Sequence, residues 1–516
     1  MTGAINWTAL SVFIAFFVLV TVLGFVAARW KAGDLNELHE WGLGGRRFGT
    51  LITWFLVGGD FYTAYTVIAV PALVYAVGAY GFFALPYTIV VYPLVFLVMP
   101  RLWAVCHKHQ YVTGADFVQG RYGSRWLALA VTLTSLLAVM PYIALQLIGM
   151  QSVIGALGLG GEGWRGELPL IIAFLILALY TYASGLRAPA MIAFVKDIMI
   201  YIVVIAAVFY IPHALGGYGA MFATADQVLQ AKAAASHAAV GITLKPSQFM
   251  PFASLALGSA MAGFMYPHTM TATLSSSSGD VIRKNAMLLP AYTILLGLIA
   301  MMGYMAIAAG IHVKSPTDVV PALFLKIFPD WFVGFGFAAI AIGALVPAAI
   351  MSIGAANLFT RNIWRAHVNP RISPSAEAST AKIASLVVKL GALVFILALP
   401  TQYAIDLQLL GGLWIIQIFP VVVLGLFRFR LRPMALLIGW AVGMALGTWM
   451  SASMGLKPVF PLVIGGVTYT VYIGILAFIA NLAVAVVLHV AFGLFGLGDG
   501  TDETRAEDYS LVTAAN

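Results

Sequence analysis

Residues 55–78 read FLVGGDFYTAYTVIAVPALVYAVG. The stretch is apolar enough to lie in a bilayer, yet it carries Gly58, Gly59 and Asp60, with Pro71 one helical span later. A carboxylate in the hydrocarbon region is costly unless it is paired, hydrated or protonated. Adjacent glycines favour an unwound or kinked helix. Unwound backbone at membrane depth is tolerated only where it lines a cavity or is buried in protein. A broken membrane helix whose break faces a site is therefore expected here. The plainer alternative is a buried aspartate that ties two helices together, but intramembrane acids usually mark ion or substrate paths.

The rest of the chain sets the surroundings of this segment. Of 516 residues 62% are apolar and 9% charged, where a soluble domain carries about a quarter charged residues. Apolar runs of about 20 residues recur throughout, each long enough to span a bilayer. The runs predict thirteen spans: 7–28, 50–77, 81–99, 126–156, 168–185, 197–213, 249–267, 286–309, 332–360, 380–400, 405–426, 433–451 and 466–493. With the N-terminus outside, the inner loops and tail hold most of the 27 Lys and Arg. That is the positive-inside pattern, and it explains the net charge of +8 without a nucleic-acid partner. The single cysteine, Cys106, permits no internal disulfide. The first residues lack a basic n-region and a cleavage site, so they read as a retained helix. The 214–248 loop reads as an outer loop with a short surface helix, and the acidic 497–516 tail as disordered.

A second interrupted span lies at 255–280, LALGSAMAGFMYPHTMTATLSSSSGD, with Gly258, Gly263, Pro267 and then His268. Paired broken spans in two halves of a chain point to a transporter binding site. His268 reads either as a hydrogen-bonded structural histidine or as a functional one. In the ninth span the small residues around Ser352 and Asn357 suit close helix packing. A serine hydroxyl and freed carbonyls would also suit a hard cation. Gln146 in the fourth span needs partners in a dry site, and Tyr142 lies one turn away on the same face. Lys196 and Asp197 open the sixth span, and Lys389 in the tenth is expected to snorkel to the inner surface. There is no HExxH, GxSxG, P-loop or CxxC, and the nine histidines lack metal or haem spacing. A membrane-embedded enzyme or respiratory-complex subunit would need facing metal histidines. A channel would conduct without concentrating its solute.

Several stretches, in order, resemble the sodium:solute symporter family over about residues 5–450: WGLGGRRFG at 41–49, Asp60 after its glycine pair, YVTGADFVQGRYG at 111–123, PYIALQLIG at 141–149, SGLRAPAMIAFVKD at 184–197, Tyr266-Pro267-His268, and GGLWIIQIFPVVVLGLF at 411–427. The resemblance implies an all-α polytopic membrane protein of 13 transmembrane helices. Its core would be a leucine-transporter-type inverted five-plus-five repeat with discontinuous helices. The expected divisions are a leading helix and loop (1–49), a first repeat (50–213), a periplasmic loop (214–248), a second repeat (249–426), two trailing helices (427–496) and the tail (497–516). The implied activity is secondary active import by alternating access in a bacterial inner membrane, with the C-terminus cytoplasmic. Overall likeness is greatest to bacterial monocarboxylate permeases, so the expected substrate is lactate, pyruvate or a similar acid; proline or pantothenate is the alternative. No cofactor beyond a coupling Na⁺ or H⁺, no nucleic acid and no obligate protein partner is expected besides the small solute and the bilayer.

Carried over from the family, the cation site would use the carbonyls of Gly58, Phe61 and Ala349 and the hydroxyl of Ser352. The next position, Ile353, departs from the family's second hydroxyl. A lysine ammonium can stand in for a bound cation in such folds, so Lys196 joins Asp60 and Asp197 as expected ion-coupling residues. Gln146, Tyr142 and His268 are the expected substrate contacts.

Overall fold

The computed structural model describes residues 5–30, 33–160, 164–236, 238–398, 404–427, 429–496, 498 and 500–510. The helices are α1 (Trp7–Val26), α2 (Leu38–Leu43), α3 (Thr50–Thr53), α4 (Val70–Val77), α5 (Ala84–Lys108), α6 (Gly114–Tyr122), α7 (Arg125–Ala156), α8 (Trp164–Ser184), α9 (Arg187–Ala214), α10 (Tyr218–Ser236), α11 (Phe249–Gly263), α12 (Pro267–Leu274), α13 (Gly279–Leu288), α14 (Pro290–Ala308), α15 (Val319–Ile327), α16 (Asp330–Leu358), α17 (Pro374–Ala398), α18 (Ala404–Ile415) and α19 (Pro433–Ser453). A two-stranded antiparallel hairpin follows, β1 (Val459–Ile464) and β2 (Val467–Tyr472), and then α20 (Ile473–Leu494).

Helix α16 is the axis of the packing. Its most apolar 18-residue window is 94% buried, against 17% for α20. An all-round apolar helix belongs at the centre, and α1, α7, α9, α12 and α17 pack around it. Small residues allow the approach: a Cβ on Gly334 would strike the Ala9 backbone of α1, and one on Gly354 would lie 2.8 Å from the Pro267 carbonyl of α12. Helices α19 and α20 pair with each other at the periphery.

Among the described residues nine helices are long and apolar enough to cross a membrane, or ten if the bent pair α11–α12 is one span. This differs from the thirteen expected spans, for identifiable reasons. The expected spans 50–77 and 81–99 contribute one apolar helical run, Tyr65–Lys108. The 405–426 region gives a shorter apolar helix, Gln408–Leu424. The expected 380–400 span runs into 399–403, outside the described residues. The last span begins at Ile473 rather than 466, because 459–472 is the hairpin. That segment alternates β-branched and aromatic residues around Gly465-Gly466, both at positive φ, which is a hairpin signature.

Ion pairs organise the loops around α2, the start of α9 and the turn from α5 into α6. Glu40 is buried and accepts from the fully buried Arg187 guanidinium and, at 2.5 Å, from Arg47. Arg187 Nη1 also donates to the Glu40 carbonyl at 2.9 Å, fixing α2 to the start of α9. Residues 500–510, within the tail expected to be disordered, are docked. Asp502 pairs with Arg121 at 2.5 Å and Arg430 at 3.8 Å, and the Glu503 N–H donates to the Gly120 carbonyl. Asp508 pairs with Lys108 at 2.6 Å and His109 at 2.8 Å, and the Arg121 guanidinium lies over the Tyr509 ring. An acidic segment beside a basic face gains enough charge-assisted hydrogen bonds to stay docked.

Burial pushes the Asp508 carboxyl up, but the hydrogen bonds from Lys108, His109 and the Arg505 N–H outweigh it and hold the group at about 2. An unfolded aspartate titrates near about 3.9. The contribution of Asp508 to docking is therefore complete above that value and lost as pH falls towards about 2. Hydrogen exchange of 500–510 should stay protected at neutral pH and rise only in that acid window, whereas Asp508→Asn should raise it at neutral pH. A second expectation concerns Arg187. Glu40→Ala strands its buried charge and should cost about 3–5 kcal/mol of stability, read as a lower melting temperature of the purified protein.

Candidate functional site

The first broken helix runs α3, a wide turn at Trp54–Gly58, an unwound link, a second wide turn at Tyr65–Ala69, then α4. Both glycines are required by close neighbours. A Cβ on Gly58 would collide with the Tyr292 ring, and one on Gly59 would lie 2.8 Å from both Lys196 Nζ and Asp197 Oδ2. Backbone groups released by the break find partners. The Phe61 and Tyr62 N–H groups donate to the Gly58 and Gly59 carbonyls at 3.0 and 3.1 Å. The Thr66 hydroxyl donates to the Phe61 carbonyl, and Gln146 Oε1 accepts the Ala64 N–H at 3.0 Å.

Lys196 and Asp197 sit against this break from α9, both fully buried. The Lys196 ammonium donates to the Gly59 carbonyl and, at 3.2 Å, to the Tyr62 carbonyl, and pairs with Asp197 Oδ1 at 2.9 Å. The Tyr292 hydroxyl donates to Asp197 Oδ2 at 2.8 Å, and the Tyr62 hydroxyl donates to the Tyr292 carbonyl at 2.6 Å. A buried pair persists only when its remaining valences are met, and here two carbonyls and a phenol meet them.

The second break separates α11 from α12 at Phe264–Tyr266, with a bend of 49°. Pro267 opens α12, where a missing N–H costs nothing. The two breaks meet. His268 Nε2 lies 3.5 Å from Asp60 Oδ2, and the Thr269 hydroxyl donates to the same oxygen at 3.2 Å. Tyr142 and Tyr266 frame the imidazole, their ring centroids 5.2 and 5.3 Å away. Asp60 and His268 are buried, yet Asp60 Oδ1 and His268 Nδ1 have no hydrogen-bond partner among the described residues. Buried polar atoms are normally paired, so an incoming polar ligand would gain partners here.

Cavities flank the breaks unequally. One of about 330 Å³ is lined by Ala69, Ala72, Phe83, Leu255, Asp406 and Lys457. The one towards α6, against Thr113, Gly114, Pro267, Met270, Gly354 and Leu358, holds only about 10 Å³. Helix α6 is tied to the end of the α16 rod there: the Thr113 hydroxyl donates to Asn362 Oδ1 at 2.8 Å, and Asn362 Nδ2 to Asp116 Oδ1 at 2.7 Å.

The expected residues thus fall into three groups. Asp60, His268 and Tyr142 come together, with Gln146 one turn along α7 holding the break. Lys196 and Asp197 form a second cluster on the carbonyls of Gly59 and Tyr62; those of Gly58 and Phe61, one residue earlier, take bonds from their own segment. In the third group the Ser352 hydroxyl donates to the Ala349 carbonyl at 2.8 Å. Lys389 does not snorkel. It is 1% exposed and donates to Ser385 at 2.7 Å, because a hydroxyl one turn back and the cover of α16 offer it a seat inside the protein. The sequence marked Gly59 as part of the break but not its carbonyl as a partner of Lys196, and Tyr62, Thr269 and Tyr292 were not singled out. The Gly59 and Tyr62 carbonyls are backbone, and Thr269 and Tyr292 look like ordinary span residues until the helices are assembled.

Comparison with known proteins gives this site its context. The chain is 62% identical to the "Monocarboxylate transport permease protein" of Rhizobium johnstonii, covering 95% of this chain and 98% of that one. It is 34% identical to the uncharacterized symporter YodF of Bacillus subtilis, covering 85% and 87% of the two chains. The fold superposes on the substrate-bound outward-open state of a Na⁺-coupled sialic acid symporter with a TM-score of 0.75, over 98% of this chain and all of that one, at 16% identity. A helical transporter fold of the leucine-transporter type is thereby established. The model of the sodium:solute symporter family matches residues 41–447. The chain belongs to the sodium:solute symporter family.

Proposed function

We propose that the protein imports a short monocarboxylate, such as lactate or pyruvate, across a bacterial inner membrane by alternating access. The observation that carries this reading is the meeting of the two broken helices at Asp60 and His268, each with an unpartnered buried polar atom. A carboxylate there would lie beside the start of α12, whose partial positive charge suits an anion. The R. johnstonii relative's name supports the substrate class. The wider topology is part of the proposal: thirteen spans, two inverted five-helix repeats and an outside N-terminus. The large cavity is then periplasmic and the closed one cytoplasmic. Import requires the α6–α16 ties at Thr113, Asp116 and Asn362 to release.

Family membership favours Na⁺ as the coupling ion. One observation favours H⁺: the Lys196 ammonium sits on the Gly59 and Tyr62 carbonyls, next in the chain to the Gly58 and Phe61 carbonyls expected to hold a cation, and Ile353 lacks a hydroxyl. Proteoliposomes under an inward Na⁺ or an inward H⁺ gradient, with the membrane potential clamped, separate the two by uptake of radiolabelled lactate and pyruvate. Accumulation under a Na⁺ gradient supports the sodium site. Accumulation under H⁺ alone supports proton coupling. Absence of accumulation under both rejects the monocarboxylate reading.

Asp60→Asn tests the site itself. Losing the charge-assisted interaction of Asp60 with the coupling ion, about 1.5–3 kcal/mol, should lower uptake roughly tenfold to a hundredfold with little change in melting temperature. A variant that does not fold would favour a purely structural aspartate.

A further inference from the structure

One buried charge has no part in the scheme above. Lys389 Nζ donates to Ser385 Oγ at 2.7 Å, the Ser385 hydroxyl donates to Ser352 Oγ at 3.3 Å, and Ser352 donates to the Ala349 carbonyl at 2.8 Å. All three side chains are at most 1% exposed. The donors point one way, from the amine to the carbonyl. The Ser352 oxygen keeps a lone pair beyond the one that accepts from Ser385.

No carboxylate lies within 4 Å of Lys389 among the described residues. Those on the elements packed around α17 are committed elsewhere: Glu377 to Arg361 and Arg365, Glu40 to Arg187 and Arg47, Glu167 to Gln151, and Asp330 to Asn6. Asp116, on α6, serves Arg361 and Asn362. Three other cations of those elements are engaged elsewhere: Lys382 lies over the Tyr182 ring, and Arg361 and Arg365 hold Glu377. Lys196, also buried, differs in having Asp197 beside it. An ammonium buried without a counter-ion is strongly disfavoured, so the charge on Lys389 depends on what else occupies its surroundings.

We infer that Lys389 is a positioning residue that makes cation binding at Ser352 antagonistic to its own protonation. The two hydrogen bonds put the amine within about 6 Å of the Ser352 oxygen. Two unit charges at roughly 6–8 Å and an effective dielectric of about 20 repel enough to change affinity by about 30- to 100-fold. Linkage makes the effect reciprocal: a bound cation expels the proton from Lys389, and the proton weakens the cation. The bonds along the chain are retained in both forms, since a neutral amine still donates to Ser385. The inference rests on the reading of Ser352 as part of the coupling-cation site. It does not depend on which acid is carried.

The test reads cation binding on the purified full-length protein, with no transport involved. Na⁺ is titrated against choline at constant ionic strength, from about pH 6 to about pH 9, and Na⁺-dependent thermal stabilisation is recorded. In the wild type the half-saturating Na⁺ concentration should rise about 30- to 100-fold towards the acid end. Lys389→Met should abolish that rise and bind Na⁺ at every pH as tightly as the wild type does at the alkaline end. Lys389→Arg stays charged and should bind weakly throughout, which keeps the test decisive if the methionine variant does not fold. Na⁺ added to weakly buffered protein should release protons from the wild type and none from Lys389→Met. An unchanged pH dependence in Lys389→Met, a pH-independent wild type, or absence of Na⁺ binding in all three proteins would overturn the inference. Failure of lactate and pyruvate uptake with these binding results intact would instead overturn only the substrate reading.

Discussion

Where the first core helix unwinds, the carbonyls of Gly59 and Tyr62 are left at membrane depth, and the Lys196 ammonium takes both. Neither partner could stand alone. Carbonyls without donors are not tolerated in hydrocarbon, and a lysine without an anion is not tolerated there either. Asp197 and the Tyr292 hydroxyl complete the balance, so three parts of the chain are held at one point: the break, α9 and, through Tyr292 and Tyr62, α14. The glycine pair is part of the same constraint, because any side chain at Gly58 or Gly59 would occupy the space of Tyr292 or of the ion pair.

The second break is built differently. It has no lysine; Pro267 removes one donor, and α16 closes against the Pro267 carbonyl through Gly354. Each break contributes one ionisable group to the space between them, Asp60 from the first and His268 from the second. A rigid helix crossing the same region would bury its polar groups in its own ladder and offer nothing to a solute. Two breaks facing each other expose polar atoms to one another and to a ligand, while the surrounding helices keep them from lipid. The α6–α16 hydrogen bonds close the narrow side of this arrangement, and the docked acidic tail braces α6 from outside through Asp502 and Asp508.

Buried charge in this protein is handled in two ways. Glu40 with Arg187, and Lys196 with Asp197, are matched pairs that also bond to backbone or phenol groups. These fix geometry. Asp60 Oδ1, His268 Nδ1 and the Lys389 amine are left with less than they could bind. Such groups add nothing to stability that an apolar residue would not, and their presence in the interior is better explained by ligands and protons than by packing.

The sequence by itself determined a polytopic helical membrane protein, its two interrupted helices and the special standing of Asp60, because composition, span length and glycine–proline breaks are local properties that the bilayer makes obligatory. It also carried the family, through motifs read in order from 41 to 427. Other local signals were present but outweighed: the Gly465-Gly466 hairpin was submerged in an apolar run, and the acidic tail looked free because its partners, Lys108, Arg121 and Arg430, lie up to hundreds of residues away. Only the tertiary structure decided which carbonyls meet Lys196, that His268 reaches Asp60 across 208 positions of chain, and that Lys389 turns inward to Ser385. Those choices depend on the register and rotation of one helix against another, and a shift of a single residue, as between Gly58 and Gly59, turns a group by about 100° around the axis. No local pattern in the chain encodes that angle.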